Sequence, residues 1–265
     1  MKQHPVRVGK NNLCPVCQRD TWCLVGTRYV VCMRVQSGQP KQLAGGEVGW
    51  LHPIGADYAP PVMERERPAP LLNVSETLTE WAAMRWSQSI STLSSELGVT
   101  NIALEQLGCV RAPYHETWAF PMRTGDNSVC GIRLRNIEGK KWAERGSHAG
   151  LFIPQGGQQD TPLIVEGPTD CAAALTIGYY AIGRPSCSGG VDHLKELVKR
   201  SRFKRAVIVS DLDDAGLRGA KTLCEHLPIP TAILVCPAKD MRAFVNNGGD
   251  RIMLDAMIDQ LVWHT

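Results

Sequence analysis

Beyond Pro162 the chain falls into short apolar runs separated by stretches of helical spacing. The apolar runs predict strands at 163–166, 179–182, 206–210 and 231–235. The segments between and after them predict helices at 169–177, 192–200, 215–226 and near 250–262. Strict strand-helix alternation predicts a parallel, doubly wound sheet covered by helices. Upstream the period differs. Leu78, Trp81, Ala82, Trp86 and Ile90 lie at helical spacing after Ser75, a candidate N-cap. Further helices are expected near 92–97 and from Thr100 to Leu107, with Gly108 as the stop. From Trp118 the period becomes two, and 118–122 and 129–135 predict strands joined by the turn 125–127.

Breaker residues divide this pattern. Pro53, Pro60, Pro61, Pro68 and Pro70 sit among charged residues, which predicts a semi-rigid linker. The expected layout is therefore a cysteine-bearing module at 1–52, a linker at 53–72, a basic α+β subdomain at 73–160 and a parallel α/β domain at 161–265. No run of eighteen apolar residues occurs and the N-terminus lacks the apolar stretch of a signal peptide, so the expectation is a cytoplasmic protein with no membrane partner.

In that setting the ten cysteines of the 265 residues are expected to be reduced thiols or metal ligands rather than disulfides. Four of them crowd into 14–32. Cys14-Pro-Val-Cys17 has the C-x2-C spacing of a structural zinc knuckle, and Cys23 and Cys32 complete four thiolates. Val35 stands where a second knuckle would place its last cysteine. Cys23 is therefore taken as the fourth ligand, with His52 or His4 as alternatives. So small a module would hardly fold without its metal. The remaining cysteines lie among apolar neighbours and read as small buried hydrophobes.

Two of the predicted strands end abruptly in acids: Glu166-Gly-Pro-Thr-Asp170 after the first, and Asp211-Leu-Asp213-Asp214-Ala-Gly216 after the third. Lys239-Asp240 follows the fourth. Acids singly placed after strands often only cap the next helix. Gathered at one edge of a sheet, Glu166, Asp170, Asp211, Asp213 and Asp240 would repel one another unless Mg2+ or Mn2+ neutralised them. The net charge of +3 says little, but residues 1–52 carry seven Lys or Arg against Asp20 and Glu47, which suits a polyanionic partner. Arg133 and Arg135 share one face of a strand, and Lys140-Lys141-Trp142 follows. Read alone, such residues are often only a solvated face.

The set Glu-Gly-x-x-Asp, Asp-x-Asp and Lys-Asp resembles the Toprim domain shared by bacterial primases, topoisomerases, RecR mediators and OLD-type nucleases. Cys-Pro-x-Cys, Trp-Cys and Cys-x-Arg at the N-terminus resemble the zinc module of phage and plasmid primases. Residues 120–152 resemble the basic subdomain that precedes Toprim in those enzymes. Together these imply a bacterial-type, phage- or plasmid-like DNA primase. The fold implied is a Toprim-type α/β parallel sheet flanked by helices, preceded by a small α+β basic subdomain and a zinc-ribbon-like module. The activity implied is synthesis of short RNA primers on single-stranded DNA from NTPs by two-metal nucleotidyl transfer.

On this resemblance Glu166, Asp211 and Asp213 hold Mg2+ or Mn2+, supported by Asp170 and Asp240. Arg133, Arg135 and Lys141 bind template or triphosphate. Trp22, Arg28 and Arg34 meet unpaired template bases, although Trp22 also suits a packing role. Position 242 departs from the fuller primase pattern: Arg stands where a second acid would follow Asp240. The G-x-x-x-x-G-K-[ST] loop is absent, so a replicative helicase is expected in trans. A Toprim nuclease using the same acids, and a non-catalytic RecR-like zinc and Toprim DNA-binding module, are the alternatives. A topoisomerase is not expected, for want of room for a tyrosine-bearing cleavage domain.

Overall fold

The structure is a computed structural model whose described residues are 5–9, 12–26, 28–43, 48–55, 72–86, 89–157 and 159–264. It divides into two compact units, Met1–Pro68 and Ala69–Thr265. Most of the proline-rich linker and His4 lie outside the described residues. Among the described residues no helix is long and apolar enough to cross a membrane.

The first unit is an antiparallel sheet of β1 (Val6–Arg7), β2 (Leu24–Val25), β3 (Tyr29–Cys32), β4 (Pro40–Gln42) and β5 (Val48–Pro53), in the order β1-β2-β3-β5-β4. Its core is small: Val8, Val16 and Val30 pack around the buried Cys14, Cys17, Cys23 and Cys32. So few apolar side chains bury too little surface to hold a sheet unaided.

The second unit opens with α1 (Val74–Ala83), α2 (Ile90–Leu97) and α3 (Asn101–Gln106). Asn73, not Ser75, caps α1, accepting the Glu76 backbone N–H at 3.3 Å. The helix stops at Ala83, so Trp86 lies beyond it and Ile90 opens α2 instead. The helix expected from Thr100 to Leu107 spans Asn101–Gln106, with Thr100 as its N-cap, and Gly108 follows with φ +67. An antiparallel sheet follows in chain order: β6 (Val110–Arg111), β7 (Thr117–Arg123), β8 (Val129–Asn136) and β9 (Lys141–Ala143).

The parallel sheet comprises β10 (Leu163–Glu166), β11 (Ala181–Arg184), β12 (Ala206–Ser210) and β13 (Thr231–Val235), ordered β11-β10-β12-β13. Its crossovers are α4 (Gly167–Thr176), α5 (Val191–Arg200) and α6 (Asp214–Cys224). After β13 come α7 (Met241–Asn246), which the periodicity does not predict, and α8 (Arg251–Ile258), shorter than expected. The period of two sorts the strands onto two cores. Leu163, Val165, Val207 and Val209 join Trp118, Phe120 and α4 in one cluster, while Ile164, Ile182 and Ile208 face α5 and α6 in the other.

A single segment stitches the two sheets together. Leu151 exchanges both backbone hydrogen bonds with Arg123 at 2.7 Å, and Phe152 exchanges both with Gly183 at 2.8 and 2.9 Å. Through that segment and the shared core, residues 73–160 and 161–265 form one body. The antiparallel sheet is thereby held beside the parallel one, with its basic strands fixed near the strand ends that carry acids.

Candidate functional site

In the second unit the site follows from register. β10 and β12 are adjacent and parallel, with Ile164 opposite Ile208. Glu166 and Asp211 therefore emerge side by side at the C-terminal edge of the sheet, where open α/β sheets bind ligands. Gly167 (φ +78) turns the chain from β10 directly into α4. The loop after β12 is aligned with the loop after β13 by two backbone bonds, Cys236 N–H to Ser210 O at 3.0 Å and Leu212 N–H to Lys239 O at 3.1 Å. Asp211 thereby feels the charge of Asp240.

Three of the acids are already engaged by backbone. Asp213 Oδ1 accepts Gly216 N–H at 2.6 Å and Asp240 Oδ1 accepts Ala243 N–H at 2.7 Å, each as a helix N-cap. Asp170 Oδ1 accepts Arg242 N–H at 2.9 Å. Each bond occupies one carboxylate oxygen and fixes the other. Glu166 makes no such capping bond.

The electrostatics are those of crowded acids. Burial first, then Asp240 and Asp211, push the Asp170 carboxyl up to about 7, with the Arg242 N–H and Lys141 working against the rise. Burial, then Glu166, Asp240 and Asp213, push Asp211 up to about 6, and Lys141 again opposes. Carboxylate oxygens are the donors a hard divalent cation takes, although among the described residues only the four cysteines of the first unit bring three or more ligand atoms close enough for one ion.

Of the cations predicted from sequence, Lys141 acts on the Asp170 and Asp211 charges and Arg135 feels that of Asp170. Arg135 on β8 lies opposite Lys141 on β9, and Arg133 lies opposite Ala143. Burial lowers the Arg135 guanidinium, as does Arg242, while Glu96 and Asp170 draw it back up. The Nε atoms of Arg133 and Arg135 are both buried without a hydrogen-bond partner. Buried donors without acceptors are costly unless a ligand supplies them.

Sequence reasoning missed Arg184. It ends β11 in register with Glu166, is buried, donates Nε–H to Gly189 O at 3.0 Å and interacts with the Glu166 charge. Its signal was a lone cation closing an apolar run, Ala-Ile-Gly-Arg.

In the first unit the ligand atoms of Cys14, Cys17, Cys23 and Cys32 all lie within 4.8 Å of one another. Cys17 and Cys23 sulfurs are 3.7 Å apart, and those of Cys23 and Cys32 are 3.9 Å apart. A tetrahedral zinc with bonds of about 2.3 Å sets its sulfurs about 3.8 Å apart, so the cluster fits the ion. Cys23 completes the set. His52 is buried elsewhere, its Nε2 3.0 Å from Val35 O. Burial pushes the Cys14 and Cys23 thiols up. Burial also works against Cys17, yet the Arg19 N–H and the neighbouring sulfurs hold it below the ordinary thiol value.

Arg34 is engaged inside this module. Its guanidinium donates to Thr21 O at 2.8 Å and Thr21 Oγ1 at 2.9 Å, and lies 3.6 and 3.9 Å from the Cys23 and Cys17 sulfurs. Trp22 is exposed with φ +74, and Arg28 lines a groove of about 450 Å³ with Tyr29, Gln39 and Lys41.

No protein-family model matches the sequence, and no curated protein matches it either. Solved structures do match. A DnaG catalytic core aligns with a TM-score of 0.57 at 17% identity, over 71% of this chain and 79% of that one. A DnaG primase catalytic domain bound to single-stranded DNA aligns at 0.58 and 16%, over 71% and 77%. The zinc-binding and RNA polymerase domains of Aquifex aeolicus primase align at 0.58 and 14%, over 72% and 60%. The fold is that of a DnaG-type primase catalytic core. At these identities the primase likeness is one of architecture.

Proposed function

We propose that this chain is a DNA primase, a DNA-directed RNA polymerase that makes short RNA primers on single-stranded DNA. The observation that carries the reading is the emergence of Glu166 and Asp211 from paired strands of a primase-type fold, with Arg135 and Lys141 on facing positions of the adjoining sheet. The reaction is attack of a 3′-hydroxyl oxygen on the α-phosphorus of an incoming NTP, with loss of the hydroxyl proton and departure of pyrophosphate.

Glu166, Asp211 and Asp213 would hold Mg2+ or Mn2+, as in the Toprim pattern. A divalent cation bound there supplies charge neutralisation and a lowered hydroxyl pKa. Asp170 and Asp240 support these residues by fixing the start of α7 through their backbone bonds. Arg133, Arg135 and Lys141 bind the triphosphate or template phosphates, and the unpartnered Nε donors of both arginines support that role.

In the first unit Cys14, Cys17, Cys23 and Cys32 hold a structural zinc. Trp22 and Arg28, on the exposed surface, contact template bases, while Arg34 serves the thiolate cluster. The organisation is that of phage- or plasmid-like primases, and a helicase acts in trans. Labelled NTPs offered with a pool of single-stranded DNA templates and Mg2+ or Mn2+ test the proposal. Short RNA products support it; cleavage of the template without incorporation would assign the acids to a nuclease instead.

A further inference from the structure

The edge of the parallel sheet opposite the acids carries a second concentration of chemistry. Residues 199–205 read Lys-Arg-Ser-Arg-Phe-Lys-Arg, five cations in seven positions, and all five are exposed. Two of them form ion pairs, Arg200 with Glu196 at 3.0 Å and Lys204 with Asp160 at 2.6 Å. Arg205 donates to Thr161 Oγ1 at 3.2 Å and lies 4.3 Å over the Trp263 ring. Lys199 and Arg202 are exposed and, among the described residues, form no hydrogen bond or ion pair through their side chains.

Beside this run lies a groove of about 520 Å³ lined by Arg200, Arg202, Tyr180, Phe203 and the Gly156–Gly157 loop. Tyr180 and Phe203 form a tilted ring pair with centroids 6.1 Å apart. Asp126 is the acid in its wall. Its carboxylate is satisfied internally, accepting the Thr124 hydroxyl and the Ser128 N–H.

Position separates this groove from the acids. Tyr180 precedes β11, Phe203 precedes β12, and Gly156–Gly157 precede β10, so the groove lies at the N-terminal edge of the sheet. The acids follow the C-terminal edge, a strand length of about 15 Å away. Five exposed cations spread over seven residues, from the last turn of α5 to the start of β12, suit an extended polyanion better than a free nucleotide. Phe203 is buried beneath the groove and Tyr180 is half-buried against it, so Tyr180 offers the ring on which a base could stack beside the cations.

We propose that the 199–205 edge and its groove are a second contact surface for single-stranded nucleic acid. The choice of partner rests on the primase reading above; the surface itself rests on charge and aromatic placement.

The test is equilibrium binding of a fluorescent oligothymidylate to the full chain, without NTP or divalent cation, over a range of salt. For Lys199→Gln with Arg202→Gln, affinity at low salt should fall about tenfold, and the slope of log affinity against log salt should shrink by roughly 1.4, two phosphate contacts at about 0.7 each. Lys199→Arg with Arg202→Lys should restore both. Tyr180→Leu should weaken binding about fivefold or more with an unchanged slope.

Unaltered affinity and slope in the Gln pair would overturn the proposal. So would a polyglutamate chain that binds as tightly as the oligothymidylate and is equally lost in the Gln pair, since that would make the partner an acidic polypeptide. If no NTP is incorporated by any protein yet the Gln pair loses affinity and slope, the surface stands and the polymerase reading falls. If NTPs are incorporated and the Gln pair binds as wild type, the reverse holds.

Discussion

Asp170 Oδ1 accepts a hydrogen bond from the backbone N–H of Arg242 at 2.9 Å, tying the first turn of α4 to the start of α7. Asp170 is buried, and with no cation present its carboxyl is pushed up from 3.8 to about 7, chiefly by burial. The unfolded chain therefore releases this proton near pH 4, while the folded chain keeps it to about pH 7. Across that window the folded state binds more protons, so this group makes stability fall as pH rises from about 4 to about 7.

Asp170→Asn keeps the acceptor for Arg242 and removes the titration. In chelator at pH 8 the variant should be more stable than wild type by on the order of 4 kcal/mol, with the gap closing toward pH 4. Urea unfolding of both proteins at several pH values reads this. A gap that is absent at pH 8, or that widens toward acid, contradicts the account of Asp170.

The thiol cluster makes a separate prediction about which residue closes the zinc site. Cys23→Ser should abolish stoichiometric zinc and unfold the first unit, because its apolar core is too small to stand alone. His52→Gln should keep one zinc per chain, with a stability loss that includes about 1 kcal/mol for its bond to Val35 O. Metal analysis with near-UV circular dichroism decides between them, and zinc loss in the His52 variant would overturn the four-cysteine assignment.

Two glycines set the geometry beneath Glu166 by different means. Gly167 has φ +78 and open space where a Cβ would stand, so Gly167→Ala should cost only the conformational penalty, about 1–2 kcal/mol. Gly183 would place a Cβ 2.6 Å from Gly167 O and 3.0 Å from the Phe152 ring, so Gly183→Ala forces backbone apart and should cost about 1–3 kcal/mol. Both changes displace Glu166 and should lower incorporation more than they lower stability. Thermal unfolding beside turnover checks this, and full activity in Gly183→Ala would show that the turn does not position Glu166.

Lys141 lowers both Asp170 and Asp211 and lies opposite Arg135. Lys141→Gln should raise the KM for NTP about tenfold, equivalent to about 1.4 kcal/mol of lost binding, with a smaller change in kcat. A variant with unchanged KM would place Lys141 outside the triphosphate site.

Much of this was legible because the signals are local. An apolar run ending in carboxylates marks β10 and β12 and the acids they deliver, and C-x2-C marks half of the thiol cluster. What escaped depends on contacts distant in sequence. The Leu151–Phe152 segment pairs with one residue on each side, too little to leave an alternating pattern. The α7 helix is only six residues long, too short to show a period, and Asp240 proved to be its N-cap as well as a member of the acid set. Asn73 and Ser75 are both good caps, and only the chain path chose Asn73. Arg34 looked like a base contact because it follows Cys32. Its distances to two sulfurs and Thr21 come from folding the module back on itself.

The central claim is that nucleotidyl transfer occurs at the acids of the parallel sheet. The most direct measurement compares wild type with Asp211→Asn plus Asp213→Asn, substitutions that retain a capping side chain at the start of α6. Labelled NTPs are offered on mixed single-stranded DNA with Mg2+ or Mn2+. Wild type should give short RNA products and the double variant at least about a hundredfold less, while its thermal unfolding midpoint is no lower than that of wild type, since the substitution removes the crowded Asp211 charge. Products that persist in the double variant, or a wild type that cuts template and incorporates nothing, would contradict it.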